Sequence, residues 1–410
     1  MKVLLLCSAM REGIGKYFNR KEENVNGWIS GTVTGLKNFN EISLSFAAFS
    51  KSEKSVIEKK EVDGVTYFCV SYENDLILKE FFETYSFDIY HLFGAENAFS
   101  YDVFPFLPLE KTLLYVQGIM SETINHYKAN CDNFKQSGFL FDKYLDVNIN
   151  ILKKQAKKEM EIFQKCKYIA GRTDWDRSFV YKINSKAKYY YLSESLRDIF
   201  YTAEKWNKDE MIPHSIFVTQ AGYPIKGAHM IVEIIKILRQ YYSDVKCTIC
   251  GINLMTSDSL ATKLNVSYAS FIQKLIKEYH LEKNIEFVGG KSGEEVAEMM
   301  AHSNAFLLAS SIENSPNSLQ EAMLLGVPCV SSFVGGTGSI VTSSNQVALY
   351  AYDDPMLAAY ELSKIFEDNK YAEELSKNAI VRAEILTDRE NNAKTLYSIY
   401  QDMFFRYNLK

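Results

Sequence analysis

Residues 310 to 323 read Ser310-Ser311-Ile312-Glu313-Asn314-Ser315-Pro316-Asn317-Ser318-Leu319-Gln320-Glu321-Ala322-Met323, a polar loop running into a helix with two carboxylates eight residues apart. An apolar strand ends at about Ala309, and the pattern predicts a helix with Ser315 as N-cap and Pro316 as its first residue. A strand-to-helix turn of this kind points free backbone N–H groups and the positive end of the helix dipole outward, which suits a diphosphate. Glu321, on the second turn, is then placed to accept hydrogen bonds from vicinal ribose hydroxyls. Glu313, in the preceding loop, faces the sugar side of the same ligand. An ordinary capped helix with solvated carboxylates would explain one glutamate. It does not explain the pair, the polar loop and the glycine-rich Val334-Gly335-Gly336-Thr337-Gly338 together.

A second element lies upstream, in Gln220-Ala221-Gly222-Tyr223-Pro224-Ile225-Lys226-Gly227. It joins an expected strand, Ser215–Thr219, to an expected helix over 228–242. Ligands of open α/β sheets bind outside the carboxyl ends of the strands, so this loop and Glu313 face the same side of a sheet. A lysine there can neutralise charge that develops on a departing diphosphate.

Strands and helices alternate along nearly the whole chain. Short apolar runs occur at Val3–Cys7, Ile42–Phe49, Asp88–Phe93, Thr112–Val116, Lys167–Ala170 and Lys188–Leu192, with a hairpin near Val56–Val70 turning at Asp63-Gly64. The pattern restarts near residue 213, with runs at Val245–Cys250, Ile285–Val288, Ala305–Ala309 and Pro328–Ser332, and with Ser292-x-x-Glu295 as a capping box. This is the signature of βαβ units and parallel sheets. The expected fold class is α/β, two Rossmann-like doubly wound domains facing across a cleft, with C-terminal helices. The expected partition is 1–207, 208–385, and a last helix, 386–410, returning to the N-terminal domain.

The 410 residues exceed one ordinary core, and 47% hydrophobic with 24% charged residues fits a globular chain. A net charge of −5 gives no reason to expect nucleic acid as a partner. Residues 151–205 nonetheless hold 13 Lys+Arg against 7 Asp+Glu. This is read as a solvated helix face or, over 151–167, as a patch that meets an anionic membrane or a lipid-diphosphate acceptor. Seven irregularly spaced cysteines point to a reducing compartment, and Cys247-x-x-Cys250 sits within an apolar strand, where it reads as core. The start, Met1–Ser8, fits a buried strand better than a leader, and no apolar run reaches 18 residues.

Together the Lys226-Gly227 loop, the Glu313/Glu321 pair and the Gly335-Gly336 turn resemble the family 4 retaining glycosyltransferases of the GT-B fold. The segments 312–318, Gly171-Arg172-Thr173-Asp174-Trp175-Asp176 and Glu194-Ser195-Leu196-Arg197 resemble the bacterial surface-polysaccharide members, those of capsule and exopolysaccharide synthesis. The resemblance implies a nucleoside-diphosphate sugar donor, UDP- or GDP-linked, retention at the anomeric carbon, and a glycan or lipid-linked acceptor. It also implies no cofactor and no metal, in the cytoplasm or at the inner face of the membrane. By position it assigns Lys226 to the diphosphate, Glu321 to the ribose and Glu313 to the donor sugar and phosphate, with Gly27 closing over the diphosphate from an N-terminal loop. Ser315, Asn317, Ser318, Gly335 and Gly336 would line the donor site, and backbone around Gly290 the base. Ala221 stands where the family commonly has an arginine, so Arg172 or Arg197 would supply the missing cation. Gln117 stands where a histidine is common. It can donate a hydrogen bond to a sugar hydroxyl but cannot act as a base. His91 matches another family histidine, read either as catalytic or as a hydrogen-bonded structural residue.

Other readings have less behind them. Asp174-Trp175-Asp176 is a D-x-D, a metal signal in the other large glycosyltransferase fold, but acidic residues at a helix start are favoured for capping alone. No G-x-G-x-x-G follows the first strand, against a dinucleotide oxidoreductase. A non-catalytic sugar-nucleotide-binding protein and an epimerase on the same fold are the remaining alternatives.

Overall fold

A computed structural model describes residues 1–20, 27–264 and 266–408. The chain forms two compact units. One comprises 1–121, 154–197 and 387–410, and the other 122–153 and 198–386.

The first unit is built on an eight-stranded sheet: β1 Lys2–Cys7, β2 Ser43–Lys51, β3 Val56–Val62, β4 Val65–Tyr72, β5 Ile89–Phe93, β6 Thr112–Tyr115, β7 Tyr168–Gly171 and β8 Lys188–Tyr191. Its order is β3-β4-β2-β1-β5-β6-β7-β8, parallel except for β3, which pairs antiparallel with β4. The hairpin turns where the sequence places it, because Asp63 and Gly64 both take positive φ (50° and 75°), the geometry that an Asp-Gly pair tolerates. Strand β1 is buried on both faces. Leu4 and Leu6 join one core, and Val3, Leu5 and Cys7 the other. That is why it reads as a continuous apolar run rather than an alternating one. The last helix, Arg389–Asn408, adds Leu396, Ile399, Tyr400 and Met403 to the second of these cores.

The second unit holds a six-stranded parallel sheet: β9 Ile212–Val218, β10 Lys246–Cys250, β11 Ile285–Gly289, β12 Ser303–Leu308, β13 Cys329–Ser332 and β14 Ala348–Tyr350. The order is β11-β10-β9-β12-β13-β14, so the strand that opens the unit lies beside β12, and β13 flanks β12 on its other side. The predicted capping box forms, with Ser292 and Glu295 each bonding the other's backbone N–H. Cys247 and Cys250 are free and buried, as core strand residues should be.

The partition differs from a simple cut near residue 207. Residues 122–153 fall in the second unit although they lie early in the sequence, and after the return to the first unit over 154–197 the next boundary is at 197/198. The reason is local. His229 on the helix Ala228–Leu238 is fully buried with Nε2 2.6 Å from the carbonyl of Ala129, and Phe141 stacks on Phe271 at 4.8 Å between ring centroids. Side-chain packing of this kind leaves no periodicity in the chain.

Candidate functional site

Three loops meet at the carboxyl edge of the second sheet because their strands are neighbours. They follow β9, β12 and β13. The first carries a short 3-10 turn, Pro224–Lys226, and then Gly227 at φ 74°. A Cβ at 227 would lie 1.9 Å from the carbonyl oxygen of Ala309, so only glycine allows the loop to approach the end of β12 this closely. Ser311 N–H donates to the carbonyl of Ile225 (2.8 Å), and Ser332 Oγ to that of Ser310 (2.7 Å). From the third loop, Gly336 N–H donates to the carbonyl of Glu313 (2.9 Å), while a Cβ on Gly335 would stand 2.0 Å from the same oxygen. The glycine pair therefore fixes the backbone of Glu313.

Side chains close the arrangement. Lys226 Nζ is ion-paired with Glu313, whose Oε1 also accepts from Ser310 Oγ at 2.6 Å. Both charged side chains are largely shielded, 21% and 12% exposed. Burial works against the ammonium, yet Glu313, with Tyr223, outweighs it and holds Lys226 above its ordinary pKa. Lys226 is a cation at every physiological pH. Ser310 escaped the sequence reading, although it lies in the quoted segment; nothing in one sequence marks which serine will reach a carboxylate three residues on.

The helix that follows runs from Asn317 to Leu325 with Pro316 as its N-cap, one residue later than expected. Pro316 has φ −68° but ψ 106°, so its ring presets φ without placing it in the helix. Ser315 is not the cap. Its Oγ instead accepts from the Gln320 side chain at 3.2 Å. Asn317 and Ser318 are half-buried at the helix start, and Glu321 on the next turn is 5% exposed. Gly290 is exposed beyond β11, with open space around it. Ala221 is fully buried, so no side chain at that position reaches out of the loop.

The other candidates lie in the first unit and form their own network. Glu194, 4% exposed, accepts from Gln117 Nε2 at 2.6 Å and pairs with Arg172 at 2.5 Å. Arg172 also donates to the carbonyl of Gln117 (3.1 Å) and lies over the Tyr115 ring. Burial opposes its charge, but Glu194 outweighs that and raises its pKa. A guanidinium already neutralised in this way is a weaker candidate for the cation missing at Ala221 than the sequence suggests. Arg197 is half-buried in the segment after β8. Glu194 was quoted in the sequence only as part of a motif, and its place between Gln117 and Arg172 needs the sheet to be seen.

His91 is fully buried in β5, with Nδ1 2.6 Å from the Tyr400 hydroxyl and Nε2 unpartnered. Burial lowers its pKa to about 3, so it is neutral across the physiological range, as a hydrogen-bonded structural histidine would be. Gly27 is the first residue of a helix, Gly27–Leu36, rather than part of a loop. The loop 21–26 before it lies outside the described residues. Asp174 and Asp176 open the helix Asp174–Ile183 after Thr173, which caps it. Asp176 bonds the Arg172 N–H (2.9 Å) and Tyr189. Among the described residues no three His, Cys, Asp or Glu side chains gather as a metal site, and no helix is long and apolar enough to cross a membrane.

Two Rossmann-like domains with this topology have the fold of the GT-B glycosyltransferases. Residues 200–382 match the family described as glycosyl transferases, group 1. Among solved structures, a sucrose-phosphate synthase from Thermosynechococcus elongatus superposes with a TM-score of 0.71 at 15% identity, over 99% of this chain and 100% of the other. Anabaena HepE, solved in complex with UDP-glucose, gives 0.64 at 13% identity over 100% of both chains. Among curated relatives, N-acetyl-alpha-D-glucosaminyl L-malate synthase of Bacillus anthracis is 29% identical over 134 residues, 33% of this chain and 34% of the relative. The putative colanic acid biosynthesis glycosyltransferase WcaL of Escherichia coli (strain K12) is 27% identical over 144 residues, 34% of this chain and 32% of the relative. The chain thus spans about a third of the length of each of these curated relatives.

Proposed function

We propose that this chain is a retaining glycosyltransferase that moves a sugar from a nucleoside-diphosphate sugar to a glycan or lipid-linked acceptor in surface-polysaccharide synthesis. The donor is UDP- or GDP-linked, no cofactor takes part, and the reaction runs on the cytoplasmic side of the membrane. The observation that carries the reading is the Lys226–Glu313 ion pair at the joined loops, just ahead of the helix that carries Glu321. The UDP-glucose in the HepE structure and the polysaccharide role in the name of WcaL support the donor class and the pathway class.

Breaking the bond between anomeric carbon and phosphate oxygen leaves positive charge on the sugar ring and negative charge on the diphosphate. Lys226, pre-oriented by Glu313, and the backbone N–H groups of the helix's first turn, from Asn317 on, stabilise the second charge without a metal ion. The acceptor hydroxyl enters on the face the diphosphate leaves, and the departing phosphate oxygen takes its proton. Gln117 needs no basicity in this scheme. It orients a hydroxyl, and Glu194 fixes its amide.

Thermal shift with UDP, GDP, ADP and CMP tests the donor assignment. At about 100 times its Kd a ligand stabilises the native state by roughly 2.7 kcal/mol. One diphosphate nucleotide should raise Tm in the wild type and fail to do so in Lys226→Ala and Glu321→Ala. Equal shifts in all three proteins would remove the site from consideration.

A further inference from the structure

At the carboxyl ends of β1, β2 and β4, within the first unit, lies a cavity of about 530 Å³. Three cations line it, Arg11, Arg20 and Lys51, together with the hydroxyls of Ser8, Ser50 and Ser71. Among the described residues Glu12 is its one acidic lining residue. Two of the cations have acidic neighbours, Arg20 with Glu58 at 3.5 Å and Lys51 with Asp102 at 3.3 Å. Those pairs are solvent-screened, with Lys51 67% exposed, and hold little of the charge. Arg11 is different. Its side chain is half-buried, its hydrogen-bond partners are neutral hydroxyls (Tyr67 Oη at 3.0 Å and Thr34 Oγ1 at 3.5 Å), and its buried Nε has no hydrogen-bond partner. No carboxylate pairs with it among the described residues. A half-buried guanidinium without a counter-charge is costly unless something anionic arrives.

We propose that this cavity binds a phosphate or carboxylate group carried by the acceptor, with Arg11 as its main charge partner. The proposal rests on the glycosyltransferase reading only for the word acceptor. The anion site is a property of the first unit by itself. Arg20, already oriented by its bond to Ser71 Oγ (2.8 Å), and the surrounding serines would complete the oxygen shell. The position is also the one at which parallel α/β sheets take their ligands, beyond the carboxyl ends of the strands.

The test is a calorimetric titration of the full chain with glycerol 3-phosphate, with glycerol as neutral control and UDP present to occupy any donor site. The wild type should bind the phosphate ester and not glycerol. Arg11→Gln should weaken binding by about 10-fold or more, as expected for a charge-assisted bond removed, and Arg11→Lys should restore part of it. Ser50→Asp, which places a negative charge on the cavity wall without touching Arg11, should weaken it too. Phosphatidylcholine vesicles with and without phosphatidic acid distinguish a lipid-borne anion from a free one. Binding of the acidic vesicles that depends on Arg11 assigns the group to a lipid. No binding of glycerol 3-phosphate, or equal binding by Arg11→Gln, overturns the proposal. Loss of UDP binding by the wild type, with Arg11-dependent phosphate binding intact, would sink the donor assignment and leave this one standing.

Discussion

Replacing Gly335 by alanine separates what the glycine-rich turn does for the fold from what it does for Glu313. At φ 50° an alanine pays roughly 1–2 kcal/mol for the left-handed conformation. Its Cβ would lie 2.0 Å from the Glu313 carbonyl oxygen, whereas contacts under 3.0 Å are essentially never seen, so one loop must retreat by 1 Å (3.0 − 2.0). That movement also strains the Gly336 N–H bond to the same oxygen, which contributes about 1 kcal/mol. The total is roughly 2–3 kcal/mol, a Tm loss of about 4–12 °C. Gly64→Ala is the control. It has φ 75° and nothing within 4 Å, so it carries the conformational cost without the clash. Displacing Glu313, and with it Lys226, by about an ångström should cost on the order of 100-fold in turnover. The assay is donor-sugar hydrolysis or transfer, with calorimetric binding of the nucleotide, on both variants well below their Tm. Gly64→Ala should keep full activity. If Gly335→Ala also keeps it, the argument that this turn positions Glu313 is wrong.

Two further predictions concern pH. Burial lowers the pKa of His91 to about 3 and of His229 to about 4. The unfolded chain therefore binds their protons first, near pH 6.5, and stability present above that pH is lost as pH falls. Each should cost roughly 2 kcal/mol by pH 5 in urea unfolding, and His91→Gln should show a shallower slope; an unchanged slope would refute this. Glu96 behaves in the opposite sense. Burial, with the charge of Glu159 adding to it, lifts its pKa to about 7, and its Oε2 is buried without a partner. Its folded value lies above the unfolded one, so stability is lost as pH rises through about 7. Glu96→Gln should then be more stable than wild type by ~2–4 kcal/mol at pH 8 and by only ~1 kcal/mol at pH 5.

The strands were legible because both sheets are parallel apart from β3 and their central strands are covered, which leaves short apolar runs such as Val3–Cys7 and Val245–Cys250 with little ambiguity. Asp63-Gly64 and Ser292-x-x-Glu295 were legible for a different reason: their chemistry is local, and each motif fixes its own backbone. Where the next shell decides, the sequence is silent. Ser315 has the right chemistry for a cap, but the extended ψ of Pro316 delays the helix and gives the serine a different partner. Arg172 has the right charge for a diphosphate, but Glu194, twenty-two residues on, takes that charge through the pairing of β7 with β8. The membership of 122–153 in the second unit depends on contacts at separations near 100 residues, as between Ala129 and His229.

The interleaving of the two units has a consequence for how the chain is made. Cores usually form in the order in which they leave the ribosome, N-terminal first. Here the core around β1 waits for Leu396, Tyr400 and Met403, and His91 for the hydroxyl that faces its Nδ1. The second unit has all its residues once 386 has emerged. The core that holds Val3, Leu5 and Cys7 of β1 is thus among the last to be completed, although Ile29, Val33 and Leu36 join it early. Shortening the chain by its final helix should therefore harm the unit that is translated first, while leaving the later one able to fold.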